Sequence, residues 1–237
     1  MVAEKQNFEA LLTVIMPVFN EEKTIAEIIN RVCKQRIVGE LLIVDDGSTD
    51  NTREILDGLK ENNLIKIISH PNNLGKGAAV ASCRKLITLP YVIIQDADLE
   101  LNPNEYDEIL KPLLSGSADA VFGSRFIDKP IEFNDLRYIG NALMTKFSNI
   151  FTGLALTDVA TGYKAMKSSI FNNLDLKEKG FSIDAEITIR LAAVNNKIVE
   201  VPISYEPRNY DQGKKIRNKD ALHFFYCIMK YFIIAKF

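Results

Sequence analysis

Runs of mostly apolar residues alternate with amphipathic stretches through the first half of the chain. The first run, Leu11–Val18, is followed by apolar residues at helical spacing between Ile25 and Cys33. Further strand patterns lie at Leu41–Val44, Leu64–Ser69 and Tyr91–Gln95, with helical patterns at Thr52–Lys60 and Gly75–Ile87 between them. Strands joined by helices in this way form a mainly parallel sheet. The chain is therefore predicted to be an α/β protein whose ligands bind at the carboxyl ends of the strands.

The second half of the chain is less regular. It contains strand patterns at Ala118–Gly123 and Ile198–Tyr205 and helical patterns at Asn141–Ile150 and Ala185–Val194. Because Pro202 cannot donate to a sheet ladder, the last strand is expected at an edge or a terminus of the sheet. No repeat or low-complexity linker divides the sequence. Residues 1–220 are therefore predicted to form one domain, with residues 221–237 as a C-terminal aromatic helix of the same unit.

The overall charge and the cysteines argue against several classes of protein. A net charge of −2 over 237 residues gives no bulk attraction to nucleic acid, so no such partner is expected. Cys33, Cys83 and Cys227 are scattered and odd in number, which favours reduced thiols in the cytoplasm over a zinc site. The N-terminus lacks a signal-peptide pattern, and no run reaches the roughly 20 apolar residues that span a bilayer.

The segment YVIIQDADLE carries the strongest chemical signal. A buried strand runs into Asp96, Asp98 and Glu100, which alternate with apolar residues. In an extended chain these three carboxylates face the same side. Such a cluster is costly unless a cation or water neutralises it, and oxygen ligands favour Mg²⁺ or Mn²⁺. The alternative is a solvated turn at the strand end.

A second acidic strand end, IVDDGSTDNT, places Asp45 and Asp46 at the same predicted edge of the sheet. One of these two carboxylates is suited to accept hydrogen bonds from a nucleobase. Asp50 is well placed to cap the helix that follows. Helix capping is also the alternative for the whole Asp46–Asp50 stretch.

Two further segments follow strand ends. In MPVFNEE, Pro17 fixes a turn, Phe19 can stack on a base, and Asn20 and Glu21 add polar contacts. The segment NNLGKGAAV can bring a phosphate close to a helix start, although its glycines are more often close-packing positions. Its spacing matches neither a P-loop nor a dinucleotide-binding loop.

Taken together, these segments resemble the family 2 glycosyltransferases. The resemblance is carried, in order, by PVFNEE, VDDGSTDNT, NLGKGAA, DADLE and GSRF, and then by DVATGYKAMK, FSIDAE, VPISY and RNYDQGKKI. It covers roughly Thr13 to Lys230. Within the family the sequence is most similar to dolichyl-phosphate mannose and glucose synthases and to bacterial polyprenyl-phosphate glycosyltransferases.

The resemblance implies a GT-A fold that binds a GDP- or UDP-linked sugar together with Mg²⁺ or Mn²⁺. It also implies the residues that contact the donor: Pro17, Phe19, Asn20, Glu21, Asp46 and Asp96, with Asp96, Asp98 and Glu100 at the metal. Glu100 stands where Gln is common in the family, which adds negative charge near the diphosphate. Phe19 stands where Tyr is frequent, which keeps the stacking surface but removes a hydroxyl.

Basic residues point to a phosphate acceptor. Arginine suits bidentate phosphate binding, and arginines at the positions of Arg125 and Arg137 bind the acceptor phosphate in the related synthases. The loop from Arg208 to Lys219 holds five basic residues and one acid, which favours contact with a phosphate or a membrane surface. We predict that Asp98, Arg125, Arg137, Arg208 and Lys215 carry the transfer. Surface salt bridges and a solvated loop are the alternatives.

The C-terminal tail, ALHFFYCIMKYFIIAKF, is apolar apart from His223, Lys230 and Lys236. Its 17 residues are too short to cross a bilayer as a helix, so it is predicted to lie at the membrane interface with its lysines at headgroups. A core-packing or dimer-forming helix is the alternative, and whether the chain forms a homo-oligomer is left open. His70 and His223 lack metal-ligand partners at useful spacing and are expected to be structural.

The predicted enzyme is a cytoplasmic protein, peripheral at the membrane, that inverts the sugar as it moves from donor to polyprenyl or dolichyl phosphate. Such a phosphate is already ionised and needs positioning more than a base. A hydroxyl acceptor needs a general base, for which Asp184, Glu186 and Asp158 are the candidates. A non-catalytic nucleotide-sugar-binding protein on the same fold is the third possibility, and the intact acidic cluster argues against it.

Overall fold

The structure is a computed structural model that describes residues 10–59, 62–127, 136–207 and 218–236. The strands described form one seven-stranded sheet in the order β3-β2-β1-β4-β6-β5-β7. Their bounds are β1 Leu12–Val18, β2 Val38–Asp45, β3 Ile65–Ser69, β4 Tyr91–Ile94, β5 Ala120–Ser124, β6 Lys164–Lys167 and β7 Ile198–Pro202.

Helices connect and flank these strands. They are α1 Ile25–Cys33, α2 Thr52–Asp57, α3 Lys76–Ser82, α4 Tyr106–Leu114, α5 Leu136–Thr152, α6 Ser168–Asn173, α7 Ile183–Ala193 and α8 Asn218–Lys236, with a 3₁₀ turn at Pro103–Glu105. The hydrophobic periodicity predicted most of them, but the sequence reasoning missed α4, α6 and the turn.

The predicted α/β architecture with a mainly parallel sheet is confirmed. Strands β1 to β4 pair in parallel, as do β5 and β7, while β6 runs antiparallel between β4 and β5. Strand β7 is an edge strand and ends at Pro202, as expected. Strand β6 was missed because it has only four residues, KAMK, two of them lysines.

The sheet is covered on both faces, so alternate residues of its strands pack into different clusters. In β1, Val14 and Met16 pack with Ile28 of α1 and Ile109 of α4. Ile15 belongs to the opposite cluster with residues of α3 and α7. This double burial explains why the central strands read as continuous apolar runs.

The C-terminal helix α8 is partly a core element. Phe224, Cys227, Ile228 and Tyr231 are buried against residues of α7 and the segment before β6, among them Ala185, Ile189 and Val159. Ring pairs at 5.0 Å, Phe147–Phe225 and Phe151–Phe232, join α8 to α5. The core-packing alternative is therefore correct for this face of the tail.

The opposite face of α8 is apolar and exposed. Its exposed side chains are Leu222, Tyr226, Met229, Ile233 and Ile234, and on the neighbouring helix α5 Leu143 and Ile150 are also exposed. In the described part of the chain, no helix combines the length and the apolar character needed to cross a bilayer.

Candidate functional site

Three adjacent strands deliver the predicted donor-binding segments to one edge of the sheet. Strands β2, β1 and β4 are neighbours, and Pro17 near the end of β1 pairs with Val44 of β2. Asp46 follows β2 directly, and Asp96 comes two residues after β4 ends. Because all three strands run in parallel, their carboxyl ends meet at this edge, as the sequence predicted.

Asp46 is buried and holds the Gly-rich segment in place. It accepts hydrogen bonds from the backbone amides of Leu74 at 2.9 Å and Gly75 at 2.7 Å. His70 Nδ1 lies 2.7 Å from the same carboxylate. A carboxylate has about four acceptor positions, so these three contacts occupy most of them. His70 is structural, as expected, and its position on Asp46 was not apparent from the sequence.

The loop after β1 is tied to the loop after β2. The Asn20 side chain accepts from the Thr49 amide at 2.8 Å, and the Asn20 amide donates to Ser48 Oγ at 3.0 Å. The Glu21 amide donates to Thr52 Oγ1 at 2.8 Å. The polar atoms of Asn20 thus order the two loops against each other. Phe19, beside them, is half-buried.

The acidic cluster does not have the geometry predicted for it. Strand β4 ends at Ile94, so Asp96, Asp98 and Glu100 follow in a bent segment and not in an extended strand. The Asp98 carboxylate accepts from the Glu100 amide at 3.1 Å, which closes a local turn. The alternation of side chains along an extended strand therefore does not explain where these three carboxylates lie. Among the described residues, these three carboxylates are not a group whose ligand atoms all lie within 4.8 Å of one another.

Lys76 joins this cluster, although the sequence reasoning did not select it. Its ammonium lies 2.8 Å from Asp96 and 3.8 Å from Asp184. Asp184 in turn pairs at 2.9 Å with Lys164, which is fully buried. The four side chains form a row of alternating charge that runs from the sheet interior to the acidic turn. The Lys76 ammonium balances the charge of Asp96, so a metal ion at this carboxylate would have to displace it. The carboxylate oxygen atoms are of the hard type that Mg²⁺ and Mn²⁺ prefer.

The pKa values within the row follow from burial and from the neighbouring charges. Burial acts to lower the pKa of Lys76, but Asp184 and Asp96 outweigh it and raise that pKa above its ordinary value. Burial acts to raise the pKa of Asp184, yet Lys164 and Lys76 bring it below its usual range. For Lys164 burial prevails, and its pKa is lowered. Asp184 is therefore a carboxylate between two lysines, a poor environment for a general base.

Arg125 is committed mainly to an internal partner. Its guanidinium binds Asp158 through Nε at 2.6 Å and Nη2 at 2.8 Å, between the rings of Phe126 and Tyr205. Asp158 has no exposed surface. The general-base role considered for Asp158 is therefore wrong, because the arginine occupies it. Arg125 keeps only its remaining N–H groups for a phosphate.

A groove lies beside this pair. It has a volume of about 510 Å³ and a mostly apolar lining that includes Phe126, Tyr138, Asn141, Lys146 and Ile150. Arg137 lies in the first turn of α5, the helix that forms one wall, and its side chain is outside the described residues. Arg208 and Lys215 are also outside the described residues.

Glu186, another candidate base, holds a loop together. It is fully buried and accepts from the amides of Lys177 and Glu178 at 2.9 and 2.8 Å, and from Arg190 Nε at 2.9 Å. It cannot reach a substrate without breaking these bonds. The general-base role considered for Glu186 is therefore wrong.

A cluster of polar side chains joins Glu178 to the C-terminal helix α8. Glu178, His223 and Cys227 each place one potential metal-ligand atom within 4.8 Å of the others. The expectation that His223 has no such neighbour is wrong, because Glu178 comes from a distant part of the chain. The same carboxylate also binds Lys230 Nζ at 2.9 Å and Tyr231 Oη at 2.8 Å. With an ammonium in this position, the cluster anchors the helix more readily than it holds a cation.

Comparison with known proteins identifies the family. Residues 13–175 match the family described as "Glycosyl transferase family 2". The chain belongs to that family. This family 2 chain is 30% identical to "Glycosyltransferase AglJ" of Haloferax volcanii over 82% of its own length, but spans only 63% of that relative. It is 28% identical to "Undecaprenyl-phosphate mannosyltransferase" of Micrococcus luteus, over 84% of this chain and 85% of that protein.

A solved structure shares the fold of this family 2 chain. Glucosyl-3-phosphoglycerate synthase from Mycobacterium tuberculosis, solved with Mg²⁺ and UDP, matches with a TM-score of 0.70 at 18% identity. The match covers 94% of this chain and 79% of that one. At this identity the likeness shows the fold alone, and it confirms the predicted GT-A fold.

Proposed function

We propose that this chain is an inverting, cation-dependent glycosyltransferase that moves a hexose from a nucleotide-diphospho-sugar to a polyprenyl or dolichyl phosphate. The observation that carries the proposal is the ion pair of Lys76 with Asp96, next to the Gly-rich turn that Asp46 holds, at one edge of the sheet. Acidic and basic groups side by side suit a ligand that brings both a cation and phosphates.

The donor end of the site is built for a nucleoside diphosphate. Asp46 is the proposed acceptor for the base, and Phe19 offers its ring beside it. Asp96, Asp98 and Glu100 would hold Mg²⁺ or Mn²⁺, which when bound neutralises the departing diphosphate. Lys76, which lies between Asp96 and Asp184, is the proposed cationic partner of the phosphates. The proposed base is guanine or uracil, because each has a ring N–H group that can donate to a carboxylate.

The acceptor end favours a phosphate over a hydroxyl. A phosphate monoester is mostly a dianion at pH 7, so it attacks without a general base. Two of the three candidate bases are bound to internal partners, and Asp184 lies between two lysines. The remaining N–H groups of Arg125, together with Arg137, Arg208 and Lys215, are the proposed phosphate ligands. The relative from Micrococcus luteus, named for undecaprenyl phosphate, supports this acceptor class.

We further propose that the protein binds the membrane surface peripherally, from the cytoplasmic side. The exposed apolar faces of α5 and α8 offer a surface for the interface, and the basic loop before α8 offers charge for anionic headgroups. Lys230 is not available for this purpose, because it pairs with Glu178. A long-chain acceptor would then be drawn from the bilayer into the mostly apolar groove beside Arg125.

The direct test is an incubation with Mg²⁺ or Mn²⁺, a panel of UDP- and GDP-sugars, and either a polyprenyl phosphate or a saccharide acceptor. We expect the product to be a polyprenyl phosphate that carries the sugar. We expect no product when a chelator removes the metal ion. Asp98→Asn should abolish turnover while its unfolding curve stays close to wild type, because the amide oxygen can still accept from the Glu100 amide that closes the turn. Asp175→Asn, at an exposed ion pair with Lys177, is the matched control. Sugar found on the saccharide, or full activity in chelator, would contradict the proposal.

A further inference from the structure

Glu178 connects the C-terminal helix to a loop of the site. It lies in the α6–α7 loop, residues 174–182, and its buried carboxylate accepts from three residues of α8. These are His223 Nε2 at 2.9 Å, Lys230 Nζ at 2.9 Å and Tyr231 Oη at 2.8 Å. Burial acts to raise the pKa of Glu178, but these hydrogen bonds hold it at about 2. The carboxylate is therefore charged and fixes the loop to the helix.

The other side of the same loop packs on the Gly-rich turn. A side chain at Gly77 would overlap the Glu178 carbonyl, and one at Gly75 would overlap the Lys179 carbonyl. The Ala78 amide donates to the Lys179 carbonyl at 3.1 Å. The two glycines thus allow the α6–α7 loop to rest directly on the backbone of the turn. This contact bears out the close-packing alternative for NNLGKGAAV.

The turn carries two groups of the donor site. Gly75 has a φ of +101°, and its amide donates to Asp46 at 2.7 Å. Lys76 follows it and reaches Asp96. A shift of the α6–α7 loop would therefore move the backbone that sets both the Lys76 ammonium and the hydrogen bonds of Asp46.

We propose that Glu178 is a positioning residue for the donor site: by fixing the α6–α7 loop to α8, it holds the Gly75–Gly77 turn so that Lys76 faces the diphosphate. This inference rests on the proposed function, because it concerns the same donor. Glu178 itself touches no substrate. Its effect passes through the backbone of two packed segments, and the C-terminal helix thereby becomes part of the support for the nucleotide.

A double-mutant cycle on nucleotide binding tests the proposal. Calorimetry with UDP or GDP and Mn²⁺ would be run on the full-length wild type, Glu178→Gln, Lys76→Met and the double variant. Coupled neighbours change affinity by roughly 2- to 150-fold, and we expect Glu178→Gln to weaken binding roughly five-fold. In the Lys76→Met background the same change should cost clearly less, because only the part of the effect that passes through the hydrogen bonds of Asp46 remains.

Two further variants separate positioning from general loosening of α8. Tyr231→Phe removes one donor from Glu178 and should weaken nucleotide binding in the same direction, by a smaller factor. Phe225→Leu disturbs the contact of α8 with Phe147, away from Glu178, and should leave nucleotide affinity unchanged. In turnover assays Glu178→Gln should raise the KM for the donor more than it lowers kcat.

The outcomes are distinct. If the wild type binds a nucleotide but Glu178→Gln binds it equally well, the positioning role is wrong. An equal loss of affinity with and without Lys76 would also overturn it, since the effect would not pass through that side chain. If neither nucleotide binds the wild type, the proposed function fails, and this inference fails with it.

Discussion

The charged state of Glu178 should set part of the acid stability of the fold. Its carboxylate accepts from His223, Lys230 and Tyr231, and its pKa falls to about 2 although burial acts to raise it. A group whose pKa is lowered in the folded state stabilises that state above its unfolded pKa. The stabilisation is lost as the pH falls through the folded value. The window for Glu178 therefore lies between about pH 4.5 and pH 2.

The size of the effect follows from the two pKa values. The difference between an ordinary 4.5 and about 2 corresponds to at most about 3 kcal/mol at neutral pH. His223 is half exposed at the edge of the cluster, so solvent screens part of the interaction. We expect about 1 to 2 kcal/mol, which is a large share of the stability of a typical domain.

The assay is urea unfolding of the wild type and Glu178→Gln at several values between pH 7 and pH 3. The variant resembles the protonated acid, so the difference in unfolding free energy should be greatest at pH 7. By pH 3 it should fall to less than half of that value. Acids that do not contact Glu178 titrate equally in both proteins and cancel from the difference. His223 contacts Glu178 and does not cancel, so the comparison is repeated in a His223→Gln background. A difference that stays constant over this range would refute the assignment of the charge to Glu178.

Four further variants test separate features of the structure. Gly77→Ala should destabilise the fold by at least about 2 kcal/mol in thermal unfolding, because its side chain meets the Glu178 carbonyl; Gly140→Ala, with open space on α5, should stabilise it by up to about 1 kcal/mol. Met229→Ser with Ile233→Ser should weaken binding to anionic vesicles about tenfold in a sedimentation assay, and the circular dichroism should stay unchanged. If vesicle binding does not change, this face of α8 does not contact the membrane. Lys164→Met should cost about 3 kcal/mol in urea unfolding, because it leaves a buried carboxylate without its closest cation, whereas a loss below about 1 kcal/mol would contradict the role of the pair.

Much of the sheet and its functional edge could be predicted from the sequence. Apolar runs identified β1 to β4, and the parallel order then required Asp46 and Asp96 to meet at the carboxyl ends. The same reasoning was wrong for the geometry of Asp98 and Glu100. It assumed that β4 continues through the acids, whereas the strand ends at Ile94 and a turn follows.

Groups whose partners are distant in sequence could not be predicted. Lys164 makes the sequence of β6 look too polar for a buried strand. Its partner, Asp184, lies 20 residues away, so the sequence does not show that this charge is paired. Lys76 looks like an ordinary residue of a Gly-rich turn until Asp96 is brought beside it. Glu178 likewise has no local motif. Glu186 belongs to the segment FSIDAE, but the sequence does not show that it binds the α6–α7 loop and Arg190. Periodicity predicts elements, but it contains no information about such pairs.

The row of Lys164, Asp184, Lys76 and Asp96 also bears on the order in which ligands arrive. A bare divalent ion approaching Asp96 meets a carboxylate whose charge Lys76 already balances, and a bare diphosphate meets an ammonium balanced by two acids. Either ligand alone must separate an ion pair and leave half of it uncompensated. A cation and diphosphate entering as one complex exchange partners with both halves at once. Under the proposed function, we therefore expect the cation and the diphosphate to bind together much more tightly than either binds alone. Magnesium without a diphosphate, or a diphosphate without a cation, should bind the ligand-free protein only weakly.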